Sequence, residues 1–297
     1  MQLPEDLIQA LDVALKDTRT SEVPGAAAAI LSPAGNWFGA SGVSDVANST
    51  PLQPDDLFEI GSITKTFVAT TMLQLVEEGQ LSLEDTLREW LPAGVTDMVP
   101  NADDITIEQI LRHTSGVADY FDVLIQQALS NPTLFLQDWQ PQQLVDLIDG
   151  LEPSFAPGES WQYSNTNYIL AGLVIESVTG NNVAAEIRDR ILTPLNLHDT
   201  FFAEEEERNG GYIKGYWDFD SNGTLDDLSI TNLSWAWATG AMISNTADLA
   251  GFFKGLFKGD LLQPETLASM LDTIPVDSPN YDSYGLGIGT LESPNRF

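Results

Sequence analysis

Apolar residues recur along the chain with two different periods. Spacings of three and four residues predict helices, which lie in 7–15, 64–78, 83–91, 107–112, 141–147, 168–180, 183–191, 246–258 and 264–271. Short apolar runs bounded by glycine, proline or other turn residues predict strands, which lie in 26–31, 37–40, 57–60, 239–244 and 284–290. Strands therefore fall towards the two ends, and helices fill the middle. This order predicts a sheet to which both ends contribute, with a helical insertion.

The length of 297 residues fits one large α/β domain with an inserted subdomain better than a small module. We expect residues 1–70 and 239–297 to form a discontinuous α/β sheet domain, and residues 71–238 to form the mainly helical insertion. No stretch approaches the roughly eighteen consecutive apolar residues that a membrane span needs, so we predict no span.

The charge of the chain is strongly negative, because 12 Lys and Arg oppose 44 Asp and Glu, a net charge of −32. Nucleic acids and anionic membranes bind clustered cations, and here the cations are few and scattered, so we expect neither as a partner. The chain has no Cys, which excludes disulfides, thiolate catalysis and Cys-ligated metals. It has only two His. Any chemistry is therefore expected to depend on Ser, Lys, Tyr and carboxylate groups.

The first candidate for chemistry is Ser62, at the start of the helix predicted over 64–78. Side chains three residues apart on a helix rise from one face, so the amine of Lys65 is expected within reach of the Ser62 hydroxyl. The positive potential of a helix N-terminus favours an alkoxide at Ser62 and a neutral amine at Lys65. The alternative is that Ser62 only caps the helix and that Lys65 is solvated.

A second candidate group lies in Tyr163-Ser164-Asn165, between a loop and a predicted apolar helix. A tyrosine hydroxyl beside an ammonium group is able to lose and shuttle a proton, and the Asn165 amide is able to bind a substrate carbonyl and a lysine. Taken alone, both residues are more typical of packing and turns.

These two groups belong to a set of five motifs that follow one another along the chain. The motifs are Gly61-Ser62-Ile63-Thr64-Lys65-Thr66-Phe67, Leu111-Arg112-His113-Thr114-Ser115-Gly116, Pro157-Gly158, Tyr163-Ser164-Asn165-Thr166-Asn167-Tyr168 and Ser244-Asn245-Thr246-Ala247-Asp248-Leu249. From about residue 23 onwards, the chain resembles the serine β-lactamase/DD-peptidase superfamily, and within it the class C-like branch that contains D-alanyl-D-alanine carboxypeptidases. The resemblance implies an antiparallel sheet flanked by helices, with a mainly helical subdomain.

The resemblance also implies roles for individual residues. Ser62 would be the acylated nucleophile, with its N–H forming half of an oxyanion hole, and Lys65 and Tyr163 would share the proton transfers. Asn165 would contact the substrate amide. The further residues are Trp235, expected to line the cleft, Tyr120, expected at its rim, and His113, expected to mark a helix end.

The implied function is that of a serine hydrolase that forms an acyl-enzyme, most similar to a penicillin-binding D-alanyl-D-alanine carboxypeptidase. Its substrate would be a small peptide, a β-lactam or an ester, and no cofactor would be required. The alternatives are a class C-like carboxylesterase or β-lactamase that uses the same residues, and a non-catalytic domain that binds penicillin or peptide. Since relatives are mostly exported, the resemblance implies a periplasmic or secreted location.

The chain departs from the family pattern in two places. The family's third motif, Lys or His followed by Thr or Ser and Gly, does not occur before Phe297, so we expect the C-terminal strands to be missing. The chain would then be a cleavage product, a truncated chain or one of two associating pieces with a complementing C-terminal fragment. The alternative is a natural remnant without catalytic activity. Carboxypeptidases of this branch tend to carry a basic residue near position 289, where this chain has Gly289. This difference leaves esterase or aminopeptidase activity open.

A separate candidate is a calcium loop, in which ligands alternate along the chain before a glycine turn. The residues that match its first half are Asp218, Asp220, Asn222, Gly223 and Asp226. Ser229 stands where the bidentate Glu of such a loop belongs, and the alternative is a hairpin loop with solvated acids.

The net charge of −32 generates a prediction about stability. Added salt screens the repulsion between like charges, so we expect the melting temperature to rise between low and molar salt. Thermal unfolding followed by circular dichroism over that range measures the effect. A melting temperature that stays flat or falls would contradict the prediction.

Overall fold

The computed structural model describes residues 3–20, 22–206, 211–218 and 223–291. Its α-helices are α1 (Glu5–Asp17), α2 (Thr64–Glu77), α3 (Leu87–Trp90), α4 (Ala93–Thr96), α5 (Ile107–Arg112), α6 (Tyr120–Ala128), α7 (Pro141–Asp146), α8 (Thr166–Thr179), α9 (Val183–Ile187), α10 (Thr246–Lys258) and α11 (Pro264–Leu271). Within these ranges, no helix combines the length and the apolar character that crossing a lipid bilayer requires.

All strand pairs are antiparallel. The strands are β1 (Gly25–Ser32), β2 (Gly35–Asp45), β3 (Thr50–Pro51), β4 (Phe58–Glu59), β5 (Phe201–Phe202), β6 (Tyr216–Trp217), β7 (Asp226–Asp227), β8 (Met242–Ser244), β9 (Ile274–Pro275), β10 (Ser283–Tyr284) and β11 (Gly289–Thr290). Within the described residues they form separate sheets in the orders β1–β2–β3, β4–β8–β5, β6–β7 and β11–β10–β9. β4, from the first part of the chain, and β8, from the last part, pair in one of these sheets, while the other strands of the two ends lie in separate sheets.

The N-terminal hairpin is confirmed, and α1 covers one of its faces. β1 and β2 pair over their whole common length. Trp37 of β2 packs with Leu3 and Leu15 in a small apolar cluster, and its ring nitrogen donates a hydrogen bond to Asp12 at 3.1 Å. The amphipathic face of α1 is thus used to bury this side of the hairpin.

The main core is built around α2 and α8. Both helices are buried around most of their circumference, as is typical of helices inside a large domain. Phe67 of α2 stacks on Phe252 of α10, with ring centroids 3.7 Å apart. One apolar cluster extends from Ile60 to Leu286, so the middle of the chain and its C-terminal part share a core.

The edge of this core positions Ser62. β4 pairs with β8, and the Ile60 N–H donates to the Met242 carbonyl at 3.0 Å. Gly61 then adopts φ 50°, in the left-handed region, where glycine has no Cβ to clash. The chain turns through a short 3₁₀ segment (Gly61–Ile63) directly into α2, which leaves Ser62 exposed at the helix entrance.

The C-terminal run 284–290 differs from the predicted continuous strand. It forms β10 and β11, which pair with each other across a turn at Gly287, where φ is 78°. The Gly287 carbonyl accepts a hydrogen bond from the Thr66 hydroxyl at 2.8 Å, and its N–H donates to the Leu111 carbonyl. Contacts with α2 and with the end of α5 therefore bend this segment, and local sequence does not reveal them.

Other elements differ from prediction for local reasons. A turn at 82–85, where the Ser82 N–H donates to the Asp85 carboxylate, delays the helix predicted over 83–91, so only α3 forms. α9 is shorter than predicted and continues as a π-helical turn (Arg188–Leu192). Helix α6 was not predicted at all.

Gly287 provides a test of how closely this turn packs. A Cβ built there would overlap the Ala69 Cβ and would lie 2.8 Å from the Tyr168 hydroxyl, whereas a Cβ built on Gly79, at φ 69°, would meet nothing within 4 Å. Both Gly287→Ala and Gly79→Ala place alanine at positive φ, at a cost of about 1 kcal/mol. We expect Gly287→Ala to lower the free energy of unfolding by roughly 1–3 kcal/mol more than its control, because of the overlap.

Denaturant unfolding of the two variants measures this difference. Equal destabilisation of both would show that the turn is not tightly packed against α2.

Candidate active site

The hydroxyl of Ser62 lies next to the amine of Lys65, as the helical spacing predicts. The Lys65 Nζ atom is 3.1 Å from the Ser62 Oγ atom. Ser62 is exposed, whereas Lys65, one turn into α2, is only 1% exposed. The predicted alternative of a solvated lysine is therefore wrong.

Two further oxygens hold the Lys65 amine. Nζ lies 2.8 Å from the Asn165 side-chain oxygen and 2.9 Å from the Thr239 carbonyl. A neutral amine has two N–H donors for these two oxygens, and its lone pair then remains for the Ser62 hydroxyl. The site thus satisfies the hydrogen bonds of the neutral amine, and it equally satisfies the three donors of the ammonium form.

Burial also sets the protonation of Lys65. Removal from water lowers the pKa of Lys65 to about 7, and the negative charge of Asp119 opposes part of that shift. The rings of Tyr163 and Tyr168 face Nζ at 4.9 and 5.6 Å, a contact that favours the ammonium once it forms. The amine is therefore able both to accept and to release a proton near neutral pH.

Tyr163 contacts the same serine. Its hydroxyl donates a hydrogen bond to the Ser62 Oγ atom at 2.9 Å. Burial raises the pKa of Tyr163 above its ordinary value of 10, so the hydroxyl is neutral at pH 7. The arrangement suits Tyr163 to donate a proton, with Lys65 as the base.

His113 supports Tyr163. It ends α5 at φ 61°, the predicted helix-end position, and its ring lies 4.3 Å from the Tyr163 ring. Its Nδ1 atom lies 3.2 Å from the Ser164 N–H nitrogen and 3.2 Å from the Asn167 amide nitrogen. Burial, with the nearby charge of Lys65, lowers the pKa of His113 well below its usual value, so the ring is neutral and positions its neighbours.

Asp119 is a residue of this site that sequence reasoning missed. Its carboxylate accepts a hydrogen bond from the Asn165 side-chain amide at 2.9 Å and caps α6 through the Phe121 N–H at 3.0 Å. It thereby fixes which end of the Asn165 amide faces Lys65. The capping position alone was readable from the sequence, but its contact with Asn165 spans 46 residues.

Two cavities meet at Ser62. The first, of about 210 Å³, is lined by the apolar side chains of Phe121, Leu233 and Trp235, together with Glu59 and Asn165. The second, of about 430 Å³, is lined by Asp277, Tyr281 and other residues near Tyr163. No Lys, Arg or His is among the lining residues that the structure describes for either cavity.

Trp235 and Tyr120, the two residues expected at the cleft, both line the first cavity. Trp235 stacks on Phe121, with ring centroids 5.3 Å apart. Tyr120 is fully shielded from solvent, at 0% exposure. Its hydroxyl donates to the Trp235 carbonyl at 2.6 Å, so Tyr120 supports the segment that carries Trp235.

The predicted calcium loop falls only partly within the described residues. Asp220 and Asn222 lie outside them, while the Asp218 carboxylate accepts a hydrogen bond from the Gly223 N–H at 2.8 Å. Asp226 lies in the short strand β7. In the part of the chain that the structure describes, no group of three or more His, Cys, Asp or Glu is placed to hold a metal ion, and calcium binding stays a prediction.

The fold is shared with solved structures of known hydrolases. A D-stereospecific amidohydrolase from Streptomyces sp. superimposes with a TM-score of 0.83 and 36% identity, over 96% of this chain and 82% of that one. D-amino acid amidase from Ochrobactrum anthropi SV3, complexed with L-phenylalanine, superimposes with a TM-score of 0.83 and 29% identity, over 94% and 80%. The predicted α/β fold, an antiparallel sheet with flanking helices, is confirmed by this likeness.

The sequence itself has relatives of the same kind. Penicillin-binding protein 4* of Bacillus subtilis (strain 168) is 30% identical over 267 residues, which cover 86% of this chain and 57% of that protein. The chain thus spans just over half the length of this relative. The sequence model of the Beta-lactamase family matches residues 8–294. The chain therefore belongs to the β-lactamase family, within the serine β-lactamase/DD-peptidase superfamily that its motifs resemble.

Proposed function

We propose that the protein is a serine amidohydrolase that forms an acyl-enzyme on Ser62. Membership of the β-lactamase family supports a serine hydrolase. The observation that carries the proposal is that one exposed hydroxyl, Ser62 Oγ, lies within hydrogen-bond distance of both a buried amine and a neutral phenol, at 3.1 and 2.9 Å. A nucleophile that shares a base and an acid in this way is suited to acyl transfer.

The acylation step follows from these contacts. The neutral Lys65 amine takes the Ser62 proton, and Oγ forms a bond to the substrate carbonyl carbon. The carbonyl oxygen becomes an oxyanion next to the Ser62 N–H, one of the groups that a helix start leaves without a partner in the helix. The carbon–nitrogen bond then breaks, the leaving nitrogen takes a proton from the Tyr163 hydroxyl, and the Lys65 ammonium returns one proton to Tyr163.

Deacylation reverses the roles of the groups. Water enters at the place of the leaving amine and gives a proton to the neutral Lys65 amine as its oxygen attacks the ester carbon. The Ser62 Oγ–carbon bond breaks, Ser62 Oγ takes that proton back from the Lys65 ammonium, and the acid product departs. Every step uses groups of the chain and water, so the proposed reaction needs no cofactor.

For the substrate, we propose a D-amino acid amide or a short peptide of D-amino acids. The names of the two solved relatives above support this class. The cleft supports it as well, because no cation among the lining residues is available for a substrate carboxylate. A side chain at position 289 would overlap the Tyr281 ring, so the basic residue typical of carboxypeptidases has no room there.

A second candidate is the D-alanyl-D-alanine carboxypeptidase activity predicted from sequence. The relative named penicillin-binding protein 4* favours it. The same serine, lysine and tyrosine would serve it, as they would serve an esterase or a β-lactamase, but the terminal carboxylate of its substrate would need a cationic partner. A non-catalytic domain that binds penicillin or peptide is the remaining alternative. The predicted complementing C-terminal fragment and the periplasmic or secreted location stay predictions.

The acyl-enzyme is tested by covalent labelling. We expect a fluorophosphonate probe to label the protein, and Ser62→Ala to abolish the adduct. Ser160→Ala, at an exposed serine, serves as the control and keeps full labelling. Intact-mass spectrometry and hydrolysis of D- and L-phenylalanine p-nitroanilide complete the test, and the D-enantiomer is expected to react faster. An adduct that survives Ser62→Ala would contradict the assigned nucleophile.

The pH dependence tests the assigned base. Because Lys65 has to be neutral to accept the proton and its pKa is lowered to about 7, kcat/KM for an uncharged p-nitrophenyl ester is expected to rise through about pH 7 and then level off. A solvated lysine would put that rise near pH 10. A profile that falls from pH 6 to 9 would rule out Lys65 as the base.

A substitution assigns this rise to Lys65 rather than to another group. The charge of Asp119 raises the pKa of Lys65, so Asp119→Asn is expected to move the rise to lower pH. Asp122→Asn removes the same charge from the exposed side of α6 and is expected to leave the profile in place.

A further inference from the structure

Glu59 is a carboxylate at the wall of the active-site cavity that none of the proposed chemical steps uses. It lies in β4, three residues before Ser62, and lines the first cavity together with Ser62, Phe121 and Trp235. Its Oε1 atom is shielded from solvent and has no hydrogen-bond partner within the described residues. Buried polar groups in folded proteins are nearly always paired, so this exception calls for an explanation.

No cation pairs with Glu59 among the residues that the structure describes. Burial alone raises the pKa of Glu59 to about 7, with no charged group contributing to the shift. The segment 211–215 lies next to Glu59. Burial and the charge of Glu59 together raise the pKa of Tyr212, and a Cβ built on Gly215 would be 3.9 Å from the Glu59 Oε2 atom. Lys214, in the same segment, is engaged by the carboxylates of Asp45 and Asp227 at 3.3 and 2.8 Å.

Removing an unpaired carboxylate from water is strongly unfavourable unless a positive partner reaches it. The described residues offer no such partner here, and Glu59 lines the cavity next to the nucleophile. A cationic group of the substrate would complete the pair. The cavity also has a place for the rest of such a substrate, because Phe121, Leu233 and Trp235 form an apolar wall opposite the polar groups.

We propose that Glu59 binds the free ammonium group on the acyl part of the substrate, and so selects amino acid amides and peptides with an unblocked amino end. This proposal rests on the proposed acylation of Ser62. The acyl carbon would lie at Ser62, the substrate side chain against Phe121 and Trp235, and the ammonium at Glu59. The leaving group would then occupy the second cavity, beside Tyr163.

The test compares a substrate with its analogue that lacks only the amine. The assay is run at pH 7.5, near which α-amino groups titrate. For wild type, we expect kcat/KM for the preferred enantiomer of phenylalanine p-nitroanilide to be at least tenfold higher than kcat/KM for 3-phenylpropionic acid p-nitroanilide. Glu59→Gln keeps the shape and removes the charge. It is expected to lower kcat/KM for the amine substrate by about ten- to a hundredfold, the range for a hydrogen bond between charged groups, and to change the analogue less than threefold.

Glu204→Gln is the matched control. Like that of Glu59, the charge of Glu204 adds to the effect of burial in raising the pKa of Tyr212, but Glu204 is not among the residues that line the cavity. It removes the same charge and is expected to leave the selectivity unchanged. Glu59→Gln is expected to keep or raise the melting temperature, since it removes an unpaired charge. The wild-type comparison of the two substrates remains decisive if that variant does not fold.

The outcomes separate this proposal from the proposed function. Labelling at Ser62 with equal rates for amine substrate and analogue, or an equal loss of both in Glu59→Gln, would overturn the role of Glu59 and leave the acyl-enzyme intact. Absence of any Ser62-dependent adduct or hydrolysis would overturn the proposed function, and the role of Glu59 with it.

Discussion

The buried amine of Lys65 is the interaction on which the active site depends. Its three partners come from distant parts of the chain: Ser62 from the turn before α2, Asn165 from the start of α8, and the Thr239 carbonyl from the segment before β8. The packing of α2 and α8 around the amine excludes water from it. This exclusion lowers the pKa of Lys65 to about 7, so that the amine is able to act as a base at neutral pH. The packing of the core and the chemistry of the site are therefore one constraint, since a shift of any of the three segments would rehydrate the amine or break a contact.

Negative charge has separate roles on the surface and in the cleft. Most of the net charge of −32 belongs to solvated acids, which do not determine the chemistry. Within the site, Asp119 orients Asn165 and moderates the shift of Lys65, while Glu59 and Asp277 are the ionisable acids that line the two cavities. A cleft of this kind disfavours anionic substrates and favours neutral or cationic ones. The absence of a described cation from its walls is the physical reason for placing amides with a free amine ahead of substrates with a terminal carboxylate.

Sequence reasoning succeeded where the determinants are local. Ser62 and Lys65 were found because a helix places residues three apart on one face, and α5 and α10 have their predicted bounds because Thr106 and Asn245 cap them. Tyr163 and Asn165 could be linked to Ser62 only through family resemblance, since about a hundred residues separate them. Glu59 and the turn at Gly287 were missed, because contacts between distant segments decide their burial. The division of the chain into residues 1–70 with 239–297 and residues 71–238 stays a prediction.

The central claim is that Lys65 is a neutral base near pH 7 because its burial with Ser62, Asn165 and Thr239 removes it from water. Nuclear magnetic resonance of protein labelled with ¹³C at the lysine ε-carbon tests this directly, because the chain has only five Lys and Lys65→Met identifies the signal. We predict that the Lys65 resonance titrates at about pH 7, far below the ordinary lysine value of about 10.4. A Lys65 resonance that titrates near pH 10 would contradict the account.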